Sequence, residues 1–192
     1  MTIRLFDELG GMEQTDAQIV RRVVAGDAEA FGLLVDRYHG RCLRAASHLL
    51  DDPDEAEDAV QEAFVRAFRH LAAYRDRDRF PAWLLRIVVN QCRTRAAYSR
   101  RWTRFDEKFG PAGDDTLLAD SASMLQERRA ELAYALGQLG QEQREAIVLR
   151  FGEELSFDEM SAVTGVGISA LKMRVQRACA RLRALLSESI NA

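Results

Sequence analysis

The chain has 192 residues, 47% of them hydrophobic and 30% charged, with a formal net charge of −3. That length supports one good core or two small ones, and a total of three prolines favours helices. No apolar run approaches a membrane span and the N-terminus lacks a basic-then-apolar leader, so a cytoplasmic chain with no membrane insertion is expected. Cys42, Cys92 and Cys179 are widely spaced and odd in number, which suits reduced thiols and not a disulfide framework.

In chain order, residues 1–14 read as a tail, with Leu5, Phe6 and Leu9 able to dock. Thr15 and Gln18 form a capping box for a first helix that Gly26 stops. A second helix carries Phe31, Leu34, Val35 and Tyr38 on one face. The third runs through "DDPDEAEDAVQEAFVRAF", and its segment Asp51 to Glu62 holds seven acidic residues and no basic one. Pro53 suits the helix start, and first-turn acids complement the helix dipole. At 3.6 residues per turn Val60, Phe64, Ala67 and Leu71 share the core side. Asp54, Asp58, Gln61, Glu62, Val65 and Arg69 share the other. An exposed Val65 framed by Asp58, Gln61 and Glu62 is either ordinary surface or the centre of a protein-binding patch with a polar rim.

A charged loop holding Arg75, Arg77 and Arg79 follows. Pro81 then opens a helix to about Arg101, in a stretch, Arg86 to Arg104, with six arginines and no acid. Arg86, Asn90, Arg93, Ala97 and Arg101 form one stripe. The arginines can hold phosphate, and Asn90 carries both a donor and an acceptor for a base edge. Tyr74, Phe80, Trp83, Tyr98 and Trp102 lie close by, and aromatic faces with basic neighbours suit single-stranded bases. Core packing and solvated arginines explain the same pattern equally well.

Thr103 to Ser123 loses the helical period and gathers glycine, proline and aspartate, which marks a linker. Beyond it a smaller helical domain contains a second capping box, Ser156 with Glu159. Its turn, "TGVG", has Gly165 and Gly167 to reverse the chain and Ser169 to cap the next helix, in the manner of a helix-turn-helix. The last helix puts Leu171, Val175, Ala178, Leu182 and Leu185 on one face. Lys172, Met173, Gln176 and Arg177 point away, with Arg174 and Arg181 on the flank. Such a face can enter a major groove. The expected fold class is all-α with no strand pattern: residues 15–102, a linker at 103–126, a second domain at 127–188 with its helix-turn-helix at about 156–176, and a tail at 189–192.

The blocks "GDAEAFGLLVDRY", "AEDAVQEAFVRAFRHL", "FPAWLLRIVVNQCRTR" and "LSFDEMSAVTGVGISALKMRVQRACARLRALL" stand in an order that resembles bacterial sigma factors of the extracytoplasmic-function group. The resemblance runs from about Thr15 to Leu186. It implies two helical domains, region 2 and region 4, that bridge core RNA polymerase and promoter DNA. Under it the acidic helix docks on the β′ clamp helices through Asp54, Asp58, Gln61, Glu62 and Val65, and region 4 meets the β flap. Arg75, Arg77, Arg79, Arg86, Asn90 and Arg93 take the minus-ten element as single strand, with Asn90 at a base-reading position. Ser169, Lys172, Met173, Arg174, Gln176, Arg177 and Arg181 take the minus-thirty-five duplex. Members are commonly held by an anti-sigma protein. The chain departs from the family pattern at Gly140, at Ser169 to Leu171 and at Met173, which bears on the minus-thirty-five sequence it reads.

Two other functions fit parts of the pattern. A helix-turn-helix regulator that never joins polymerase would not need the acidic helix. An enzyme would need more than His39 and Cys42, whose spacing offers two metal ligands and no second pair. No phosphate loop or nucleophile–base pattern occurs, so no catalytic residue, metal or cofactor is expected.

Overall fold

The computed structural model describes residues 14–75, 79–106 and 124–190, and every regular element among them is helical. Helix α1 spans Asp16–Val24, α2 Phe31–Leu49, α3 Pro53–His70 and α4 Phe80–Asp106. In the C-terminal half α5 spans Met124–Gly137, α6 Gln141–Ile147, α7 Phe157–Thr164 and α8 Ile168–Ile190. Short 3-10 turns follow α1 and α3, and one π-turn, Val148–Gly152, follows α6. The irregular linker, the first residues and Arg77 lie outside the described residues.

The helix starts follow their chemistry. The Thr15 hydroxyl accepts from the Gln18 amide while the Gln18 side chain accepts from the Thr15 amide at 2.8 Å. Ser156 and Glu159 do the same at α7, and those hydrogen bonds hold the Glu159 carboxyl below its usual range. Asp52 caps α3, accepting from the amides of Asp54 at 2.8 Å and Glu55 at 3.4 Å, with Pro53 in the first turn. Gly26 adopts a φ of +110°, which ends α1 cheaply only for glycine. Two expectations shift. The fourth helix continues past Arg101 to Asp106, because no glycine or proline occurs before Gly110. Ser169 is not the cap of the last helix: α8 already begins at Ile168, and the Leu171 amide donates to the Gly167 carbonyl at 3.1 Å.

In the N-terminal half α2, α3 and α4 pack on one another and α1 rests on α2. Asp16 fixes that last contact, accepting from Arg37 and from the Tyr38 hydroxyl at 2.5 Å each. In the C-terminal half α5, α6 and α7 pack around α8. The halves are not separate. Helix α7 packs on α4, while α6 and the π-turn pack on α2. Leu149, Leu155, Met160, Val163 and Leu171 continue the same buried cluster as Leu34, Val60 and Val88.

Ion pairs stitch this seam. Arg93 forks onto both carboxylate oxygens of Glu145 at 2.7 Å each and also donates to the Thr164 carbonyl at 3.3 Å. Arg41 donates to the Glu153 carboxylate and, at 3.3 Å, to its carbonyl. Arg144 meets Asp51 at 2.7 Å while its other nitrogens cap the Leu136 and Gly137 carbonyls at the end of α5.

The thiols sort by depth. Cys42 and Cys92 are buried, and burial pushes both up to about 12, whereas Cys179 is half-buried. Thiolate is the reactive form, so a thiol-specific disulfide reagent near neutral pH should modify Cys179 first. The other two should react only with unfolding, and three equally fast thiols would contradict this core.

Candidate nucleic-acid and protein interfaces

The outward side of α3 is as its periodicity requires. Asp54, Asp58, Gln61, Glu62 and Val65 are all exposed, because Ala56, Ala59, Val60, Ala63, Phe64 and Ala67 take the inner side. Val65 is 45% exposed, and Phe68, three residues on, is 43% exposed with its ring edge-on to Phe31 at 5.2 Å. Two apolar side chains on adjacent turns make a strip where the sequence reading saw a single valine. The i, i+3 spacing from Val65 was the available signal. The rim is partly engaged already: Glu62 accepts from Arg66 at 3.0 Å, and Asp58 meets Arg95 of α4 at 3.3 Å. A strip of this kind can hold an apolar ridge of another protein while its acids select a basic one.

Helix α4 divides its stripe. Arg86 and Asn90 are exposed, and the Asn90 side-chain oxygen accepts from Arg93 at 3.4 Å. Arg93 is half-buried by its bond to Glu145, which raises its already high pKa. Arg75 and Arg79 are exposed beside an open pocket of about 300 Å³ lined also by Tyr74, Trp83, Arg86 and Ala162 of α7. Phe80 is fully buried and unavailable for stacking, with the Tyr74 and Trp83 rings packed on it at 5.7 and 5.6 Å. Trp83, half-buried, and Tyr98, exposed, remain as possible platforms. The pocket can seat one planar ring between aromatic walls and guanidinium groups.

Helix α8 presents Ser169, Lys172, Met173, Gln176, Arg177 and Arg181 outward and buries Leu171, Val175 and Ala178. Gly165, with φ at +73°, supplies the reversal before it; Gly167 does not need a positive φ. Arg174 is tied to Glu142 at 2.8 Å, so of the basic residues it is the least available to a ligand. The Lys172 ammonium lies 5.7 Å from the centre of the Phe157 ring, which steadies it at the helix start.

A fourth feature escaped sequence reasoning. Leu132 and Leu136 of α5, Phe151 of the π-turn, and Cys179, Leu182 and Leu186 of α8 line an open apolar groove of about 420 Å³. Phe151 is 59% exposed there. Neither His39 nor Cys42 faces such a feature: the His39 ring stacks on Phe64 and the Cys42 thiol is buried. No described helix is long and apolar enough to cross a membrane.

Residues 34–103 match the Sigma-70 region 2 family and residues 129–182 the Sigma-70 region 4 family. The RNA polymerase sigma-H factor of Pseudomonas aeruginosa is 32% identical over 86% of this chain and 91% of its own. The ECF RNA polymerase sigma factor SigM of Mycobacterium tuberculosis is 33% identical over 92% of this chain and 87% of its own. Among solved structures, CnrH in complex with the cytosolic domain of CnrY aligns with a TM-score of 0.66 at 31% identity, covering 91% of this chain and 99% of CnrH. The sigma factor RpoE of Bartonella quintana, solved with the anti-sigma factor NepR, aligns at 0.68 and 25% identity, covering 82% of this chain and 96% of RpoE. Matches across both halves do not favour a regulator working apart from polymerase. An acidic, apolar-centred helix, an arginine–asparagine face and a basic helix-turn-helix thus sit in the order and fold of known relatives, and the chain belongs to the extracytoplasmic-function group of RNA polymerase sigma factors.

Proposed function

We propose that this sigma factor joins core polymerase through α3, reads the minus-thirty-five duplex through α8 and captures minus-ten bases through α4 and the loop before it. It works as a binding protein without catalytic chemistry, on the cytoplasmic side where the genome lies. The observation that carries the reading is the Val65–Phe68 strip inside an acidic rim, an apolar centre with a polar border of the kind that protein interfaces carry. The β′ clamp helices are the partner proposed for α3. The apolar groove at Phe151 suits an apolar segment of the β flap, or of an anti-sigma protein that competes for it.

Core binding is the direct test. Val65→Glu or Glu62→Lys should weaken co-purification with core polymerase, by roughly 2–5 kcal/mol if the position is fully enclosed, with helix content unchanged. Phe151→Glu in the same assay tests the groove. Wild-type recovery of core by all of these variants would remove α3 and the groove from the interface.

On α8 the two arginines should behave differently. Arg177 is exposed, whereas Arg174 is held by Glu142. Arg177→Ala should weaken binding to a minus-thirty-five duplex and reduce its salt dependence, or cost about 1–3 kcal/mol at one base pair if it reads guanine. Arg174→Ala should do less. Titrations showing the reverse order would move the reading face around the helix.

Asn90 is exposed and uncharged, so it adds little to phosphate attraction. Asn90→Ala should leave Tm and salt dependence unchanged while altering preference at one minus-ten position. Transcription from a panel of minus-ten substitutions would detect this, and a uniform loss that tracked Tm would assign Asn90 to stability.

A further inference from the structure

The groove at Phe151 carries apolar surface that the described helices leave open: Phe151 is 59% exposed and Leu132 44%. Its lining includes no acid, and its polar members are the exposed side chains of His48 and Arg183. A segment that suits it is short, apolar and acidic. Residues 3–9, IRLFDEL, have that chemistry, with Ile3, Leu5, Phe6 and Leu9 apolar and Asp7 and Glu8 outweighing Arg4. They lie outside the described residues. We propose that this segment seats its apolar side chains in the groove of its own chain, with its acids toward His48 and Arg183.

The described helices point the segment there. Helix α1 runs antiparallel to α2: its end joins the α2 start through a short 3-10 turn, while Asp16 at its start meets Arg37 and Tyr38. The start of α1 therefore faces the C-terminal end of α2. Gln14 is held at that point, its carbonyl accepting from Arg37 at 2.8 Å. His48, on the groove rim, follows Arg37 by eleven residues, which is close to three helical turns. The two thus share a face of α2 and lie about 16 Å apart at about 1.5 Å per residue. On the same face Arg41 pairs with Glu153, directly after the π-turn that carries Phe151, which fixes the groove wall beside this path. An extended chain spans about 3.3 Å per residue, so Leu9 reaches roughly 16 Å from Gln14 and Phe6 roughly 26 Å. Gly10 and Gly11, between the segment and α1, allow the backbone to turn into the groove.

Tethering decides between this segment and a second copy as the occupant. A segment joined by a few residues meets the groove at an effective concentration of about millimolar, which a separate chain matches only at a similar protein concentration. Docking removes apolar surface from water on both sides, and ordering the segment offsets part of that gain. The contact is therefore reversible, and a stronger ligand displaces it. Where the groove serves core polymerase, as proposed above, the segment is an internal competitor; that consequence rests on the proposed function, and the docking itself does not.

Cys179, half-buried in the groove lining, reports occupancy in the full chain. Phe6→Asp with Leu9→Asp should raise its rate with a thiol-specific disulfide reagent by roughly three- to tenfold, as the open fraction of the groove rises. Val24→Asp, an exposed apolar position at the opposite end of α1, should leave the rate unchanged. Cysteine placed singly at Leu5, Phe6 or Leu9 should, with oxidised glutathione as oxidant, form a bridge to Cys179 within one chain from at least one of the three. Gln14→Cys, held at Arg37, should form none. An unchanged Cys179 rate in the double aspartate variant overturns the proposal, as does the absence of a bridge from all three positions. Bridges that join two chains assign the groove to a second copy and overturn it too. Recovery of core polymerase by the same aspartate variant separates the two readings: tighter binding supports the competitor role, whereas a faster Cys179 with unchanged core binding keeps the docked segment and removes the groove from the polymerase interface.

Discussion

Ala56, Ala59, Ala63 and Ala67 recur along one side of α3 with no exposed surface, and region 2 is built on that side. Small side chains let α2 and α4 approach the α3 backbone closely, while Val60 and Phe64 fill the space between them. Enlarging one alanine overpacks a contact that two helices share, at a cost of typically 1–3 kcal/mol. The same constraint fixes function. With the inner side committed to alanine, α3 has one rotation available, and that rotation presents Val65, Phe68 and the acidic rim to a partner.

Charge is distributed to match. First-turn acids and Asp52 settle the α3 start, and Arg69 and His70 suit its end. The remaining acids face outward, and the arginines gather on α4 and α8. A total of −3 conceals this separation, which is what a polymerase or a phosphate backbone meets at close range. Glu145 and Glu153, whose side chains are each only 5% exposed, meet their arginines at the seam between regions 2 and 4.

Local chemistry was legible in the sequence and distant chemistry was not. The capping boxes at Thr15 and Ser156 depend on residues three apart, and the inner and outer faces of α3 and α8 depend on helical period; both follow from short windows. Ser169 misled as a cap because Gly167, two residues earlier, can open the helix without a side chain. Phe68 was overlooked because a strip requires reading two turns together. Arg93 looked like an exposed member of its stripe since its partner, Glu145, lies on another domain across the linker. The groove at Phe151 draws on α5, the π-turn and α8, and a π-turn leaves no simple period. Resemblance to the family supplied roles that spacing alone left open, above all for α3.

The central claim is that this chain gives core polymerase a promoter preference it lacks by itself. Run-off transcription from genomic promoter fragments, with purified core polymerase in the presence and absence of the chain, measures that directly. Discrete transcripts from a subset of fragments, dependent on both components and starting at a fixed distance from a shared minus-ten element, are the expected result. If core yields the same transcripts without the chain, or if the chain binds duplex sites while forming no complex with core, the account is contradicted.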